Sequence, residues 1–189
     1  MHRSANQKRW PLIGIVFLTT GIGCTTISRL LGPPTPTPIP SPTPAPVPTE
    51  YAVPDEGKSH LQLGDTGQYQ HYPPSSGPHY GKPIEWGLYQ EEVPPEYYVH
   101  NLEHGGVVIL YNCPEACPDT QDALFQFFNH APAETTFNEV KLVISPNSKI
   151  TSPVIVLAWG WELDLEAADA DLLLDFYQRH VNQGPELVP

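Results

Sequence analysis

Two short stretches hold most of the side chains that could do chemistry. One runs from His71 to Gly81 and sets His71 and His79 among prolines and tyrosines; the other is His100-Asn101-Leu102-Glu103-His104-Gly105-Gly106. Four of the chain's 8 histidines fall in them. Neutral imidazole is the commonest protein ligand for copper and zinc. Residues four apart share one face of a strand or of a helix, so His100 and His104 point the same way in either. His79 or His71, delivered from the preceding loop, would complete three nitrogen ligands and leave a fourth position for water or a substrate. Pro73, Pro74 and Pro78 stiffen that loop and lower the entropy of holding a ligand in place. Glu103 is placed to hydrogen-bond a ligand histidine or to cap the turn, and Tyr80, beside His79, is a second supporting group. The same histidines could instead be hydrogen-bonded structural groups orienting a tyrosine-rich loop; the clustering of four favours metal.

The letters His-x-x-Glu-His at 100 to 104 also match the inverted zinc-peptidase motif, which works on a long helix with the glutamate as general base. Gly105-Gly106 ends any helix, and Tyr97, Tyr98 and Val99 favour strand, so the expectation is a strand end and not peptidase chemistry. A second chemical candidate is Cys113-Pro114-Glu115-Ala116-Cys117-Pro118, between an apolar strand and a helix. Thioredoxin-like proteins place their active cysteines at such a point, where the helix N-terminus lowers a thiol pKa. Here three residues and not two separate the cysteines, and a structural disulfide is the preferred reading over thiol exchange.

The elements that must position these groups begin near Tyr97. Tyr97 to Leu102 and Gly106 to Tyr111 are predicted strands, the second apolar enough to be central. Pro118 at a first turn, Asp119, and apolar Leu124, Phe125 and Phe128 predict a helix to about His130. Val140 to Ser145 and Pro153 to Trp159 are further strands, Gly160 a turn and Trp161 to Leu165 a return strand; Asp169 to Val181 closes the domain as a helix. Residues 55 to 96 predict ordered loops with one short strand near Gln68 to His71. The sum is an α+β domain, a single mixed sheet with two packed helices, with a thioredoxin-like variant in view. The segment between the strands ending at Ser145 and starting at Pro153 is too short for that fold's usual crossover helix.

Before the domain the chain has a different character. Arg3, Lys8 and Arg9, the apolar run Pro11 to Gly23 and then Cys24 have the layout of an export signal, and Gly21-Ile22-Gly23-Cys24 resembles a bacterial lipoprotein cleavage site. An uncleaved signal anchor through Leu31 is the alternative. Pro33 to Pro54 has proline at nearly every second position and predicts an extended spacer. The organisation expected is therefore an anchor over 1–24 with Cys24 lipidated, a stalk over 25–55 and one globular domain over 56–189, tethered at the outer face of the cytoplasmic membrane. With Cys24 so used, Cys113 and Cys117 form the remaining pair. The formal charge of −12, from 9 basic and 21 acidic residues, makes nucleic acid a poor partner.

Pro-Pro-x-Ser-Gly-Pro-His-Tyr at 73 to 80, Val-His-Asn-Leu-Glu-His-Gly-Gly-Val-Val-Ile-Leu-Tyr at 99 to 111, and Ser-Pro-Val-Ile-Val-Leu-Ala-Trp-Gly at 152 to 160, with Gly184-Pro185-Glu186, resemble a bacterial family, domain of unknown function 3105. The resemblance covers about residues 65 to 187 and implies no activity. The function read from the residues is a membrane-tethered extracytoplasmic domain with a copper or zinc site at His79, His100 and His104, with His71 as a further ligand. Thiol-disulfide exchange at Cys113 and Cys117 and a non-catalytic envelope interaction module are the alternatives.

Overall fold

A computed structural model of the chain describes residues 47–189. The export signal, Cys24 and the first part of the proline-rich spacer lie outside the described residues. Among those described, no helix is long and apolar enough to cross a membrane.

The organising element is strand β5, Val107–Tyr111, whose five side chains are all buried. Successive strand residues face opposite sides, so an unbroken apolar run means that both faces of the sheet are covered. Helices α2 (Pro118–His130) and α3 (Ala170–His180) cover one face. There Val107, Ile109 and Tyr111 meet Leu124, Phe127, Leu173 and Phe176. Helix α1 (Pro95–Glu103) covers the other, where Val108 and Leu110 meet Tyr98, Val99 and Leu102.

The main sheet also contains β1 (Tyr51–Ala52), β4 (Gly87–Leu88), β6 (Leu142–Pro146), β7 (Val154–Ala158) and β8 (Trp161–Leu165). Its order is β1-β8-β7-β5-β6-β4. β5 and β6 are parallel, joined by a crossover through α2, whereas β7 is antiparallel to both β5 and β8. β6 passes to β7 with no intervening helix. The α+β class and the mixed sheet are as expected, and Gly160, with φ at 71°, makes the β7–β8 turn. β1 draws Tyr51–Ala52, read as stalk, into the sheet against Trp161 and Glu162.

One element departs from expectation. Tyr97 to Leu102 is not a strand but the body of α1, so three helices pack on the sheet instead of two. Local β propensity lost to packing. Pro95 occupies the first helical turn, Glu96 favours the helix N-terminus, and Tyr98, Val99 and Leu102 then fall on one helical face, all with 0% exposure. Each such side chain contributes about 1.5–3 kcal/mol by leaving water, more than a propensity difference of a few tenths. Gly105, with φ at 76°, ends the helix as its residue type requires; a Cβ there would meet the Asn182 backbone at 2.6 Å. The strand expected near Gln68 to His71 is absent.

Candidate metal centre

His100 and Glu103 stand one turn apart near the end of α1, and the other contributors come from a two-stranded parallel ladder of β2 (His60–Leu61) and β3 (His79–Tyr80). The register pairs His60 with His79, so the two imidazoles stand side by side, ring centroids 5.1 Å apart. The rings of His79 and His100 are 5.0 Å apart and those of His60 and His100 are stacked at 5.4 Å. One ligand atom from each of His60, His79, His100 and Glu103 lies within 4.8 Å of every other, so this group could hold a metal ion. His79 and Glu103 are sealed from solvent, at 0% and 1% side-chain exposure, whereas His60 is 55% exposed and forms the outer rim.

Protons decide what these nitrogens can do. The Nδ1 of His79 lies 2.8 Å from the Gly77 carbonyl, and that of His100 lies 2.6 Å from the Tyr80 carbonyl. A carbonyl only accepts, so in both rings Nδ1 carries the hydrogen and the neutral ring presents a bare lone pair at Nε2. Donation of the second ring hydrogen to a backbone carbonyl is how proteins fix the tautomer of a ligand histidine. The His79 Nε2 lone pair faces Glu103 Oε2 at 2.9 Å, with both groups buried. Two acceptors cannot satisfy each other. A cation must sit at this contact, either a proton or a metal ion. Lys58, 3.8 Å from the other Glu103 oxygen, supplies only a distant positive charge.

A tetrahedral ion with bonds of about 2.0–2.1 Å holds its ligands about 3.3 Å apart. The His79–Glu103 contact at 2.9 Å and the His60–Glu103 contact at 3.8 Å lie on either side of that spacing, and the group as a whole, within 4.8 Å, must contract to hold an ion. His60, the exposed member, has the freedom to close the difference.

His104 caps α1, and its Nε2 lies 2.9 Å from the Nε2 of His100. Because the His100 nitrogen carries no hydrogen, His104 is the donor, so its N–H must turn away before that lone pair can ligate a metal, and its own Nδ1 is left buried without a partner. Burial lowers the pKa of both His100 and His104 below the ordinary 6.5, and for His100 the neighbouring imidazoles add to the effect. Both shifts favour the neutral ring, the form a metal needs. The end of the chain closes over this corner: Glu186 N–H donates to the Glu103 carbonyl and the Lys141 ammonium to those of His104 and Val188.

The structure thus brings His79 and His100 together as expected and adds Glu103, expected only as support, as a potential ligand. Tyr80 supports His100 through its backbone carbonyl. His104 touches His100 but stands outside the mutually close group. His71 is also outside it: its Nε2 is 2.5 Å from Glu162 on β8. His60 is the residue that sequence reasoning missed. It has no local signature, since its role depends on a register with His79 that only the folded chain reveals. The His-x-x-Glu-His letters do lie on a helix, contrary to expectation, but Glu103 points at His79 among the candidate ligands.

Cys113 and Cys117 form a disulfide between β5 and α2, with Cys117 at the N-cap of the helix.

The chain belongs to the family of domain of unknown function 3105, described as a protein of unknown function, whose profile matches residues 60–188. The matched span takes in all four members of the His60, His79, His100 and Glu103 group. No curated protein and no solved structure matches the chain.

Proposed function

We propose that this is a membrane-tethered, extracytoplasmic domain that binds copper or zinc at His60, His79, His100 and Glu103. The observation that carries the reading is the buried contact of His79 Nε2 with Glu103 Oε2 at 2.9 Å, with the other ring nitrogen of His79 already held by the Gly77 carbonyl. Such a pair stabilises a cation that accepts both lone pairs. Three imidazoles and one carboxylate suit zinc or copper better than magnesium or calcium, which prefer all-oxygen sites. Tethering is supported by the basic residues, apolar run and Cys24 at the N-terminus and by the proline-rich spacer after them. The test is metal analysis of the full chain after loading with zinc or copper and dialysis. One equivalent is expected in the wild type, with affinity reduced more than about 100-fold in His79→Ala and His100→Ala; a wild type that retains no metal contradicts the proposal.

A second reading, thiol-disulfide exchange, is favoured by one observation: Cys117 caps the 13-residue helix α2 directly after the central parallel strand. The helix N-terminus would stabilise a Cys117 thiolate. Insulin reduction by the dithiol form separates the two readings.

A further inference from the structure

A cavity of about 590 Å³ opens between the loop before β3 and the start of α1. Its walls include Tyr69, Tyr72, Tyr80, Glu92, Glu96 and Lys149. The size falls within the range of small-molecule sites.

The chemistry it offers follows from which groups are already engaged. The Tyr69 hydroxyl donates to the Pro78 carbonyl at 2.6 Å and the Tyr80 hydroxyl to the Asp65 carbonyl at 2.9 Å. The Tyr72 hydroxyl is paired with the Asn147 amide. All three phenols are turned to protein partners, so the tyrosines contribute ring surface to the cavity and not free hydroxyls. Tyr69 is fitted closely: a Cβ on Gly67 would lie 2.5 Å from its hydroxyl oxygen, and one on Gly77 would lie 3.1 Å from its ring.

Two carboxylates accompany the rings. Glu96 is 7% exposed, lies in the first turn of α1, and accepts the Gly67 N–H through Oε1 at 2.9 Å. The helix N-terminus and that N–H stabilise its negative charge. The Ser148 side chain, and after it the Ser148 N–H at 2.8 Å, hold the Glu92 carboxyl below the usual range. Burial, and after it the charges of Glu96 and Glu56, push the Tyr69 hydroxyl pKa upward. One cation is already part of the wall: Lys149 Nζ sits 5.9 Å from the centroid of the Tyr72 ring.

Aromatic faces carry negative charge density and attract cations, and ammonium groups without hydrogen-bonding demands gain most from such a cage. We infer that this cavity, formed by Tyr69, Tyr72, Tyr80, Glu92 and Glu96, is a binding site for an alkylammonium group, as carried by a choline-type headgroup or a lysine side chain. The cavity meets the metal centre at Tyr80, whose backbone carbonyl holds His100, but none of the candidate ligands lines it, and its occupancy does not require metal.

Calorimetric titration of the full chain in the presence of chelator tests this with three probes: choline, N-acetyl-lysine amide and the neutral choline isostere 3,3-dimethylbutanol. Saturable binding of choline or the lysine derivative is expected, and which of the two binds more tightly identifies the source of the group. The neutral isostere should bind at least about tenfold more weakly. Glu96→Gln keeps an acceptor for the Gly67 N–H while removing the charge, and should weaken binding about tenfold. Lys149→Met removes the resident cation and should tighten it by a few-fold. The inference is overturned if neither cation binds saturably, if the neutral isostere binds as well as choline, or if Glu96→Gln binds as the wild type does.

Discussion

The two ends of β5 carry the two chemically distinctive clusters, and they are built in opposite ways. Beyond the Val107 end, His79, His100 and Glu103 are buried and come from two separate elements, and backbone carbonyls orient the two histidines. Beyond the Tyr111 end, Cys113 and Cys117 are half-buried, lie within one short loop, and have exposed Pro114, Glu115 and Ala116 between them. Five strand residues, about 17 Å, separate the two. The difference teaches where the fold has placed its constraint. Burying a carboxylate against an imidazole lone pair costs several kcal/mol unless a proton or a metal ion compensates, so the histidine end is satisfied only with a cation in place. The disulfide end needs no ligand to be satisfied.

Three perturbations sharpen this contrast. The largest effect is expected from Glu103→Gln, whose amide N–H₂ can donate to His79 Nε2. Metal affinity should fall about 10–100-fold while the apo domain gains about 1 kcal/mol of stability. Opposite signs from one substitution, read by metal competition and by denaturation of the apo chain, are the signature of a site prepared for a cation. A loss of stability in that variant would mean instead that Glu103 serves a purely structural role.

Reduction of Cys113–Cys117 comes next. Closing so short a loop contributes about 2 kcal/mol in the chain-entropy account, and that amount should be lost on adding reductant, as a shift in denaturation midpoint. Metal affinity should not change. If it does, the two ends of β5 are coupled.

The smallest effect is on pH dependence. His100 and His104 have folded pKa values below 6.5, so the unfolded chain binds more protons in the window just beneath it. Stability therefore rises with pH through that window, and the contribution of these rings, complete above about 6.5, is lost as pH falls. Each contributes less than about 1.4 kcal/mol per pH unit. Denaturation of the apo chain between pH 5 and 7.5 should show this slope, and it should flatten in His104→Gln but not in Cys117→Ser.

Much of the fold was legible in local pattern. Pro118 to His130 and Trp161 to Leu165 carry their own start signals and periodicity, and both elements have those bounds. α1 was not, because Tyr97-Tyr98-Val99 has strand propensity and only packing against Val108 and Leu110 decides for helix; the available clue was Pro94-Pro95-Glu96 ahead of an apolar face at helical spacing. At the site, His79 and His100 were legible from clustering. His60 was not, since a two-residue parallel ladder leaves no periodicity to read, and His71 was diverted to Glu162 by a pairing across the chain.

X-ray absorption of the full chain carrying one equivalent of zinc tests the central claim most directly, because it reads the ligand atoms themselves. A first shell of nitrogen and oxygen at about 2.0–2.1 Å is expected, with the outer-shell scattering of imidazoles, lost in His79→Ala. Sulfur at about 2.3 Å, or a shell of oxygen alone, would contradict it.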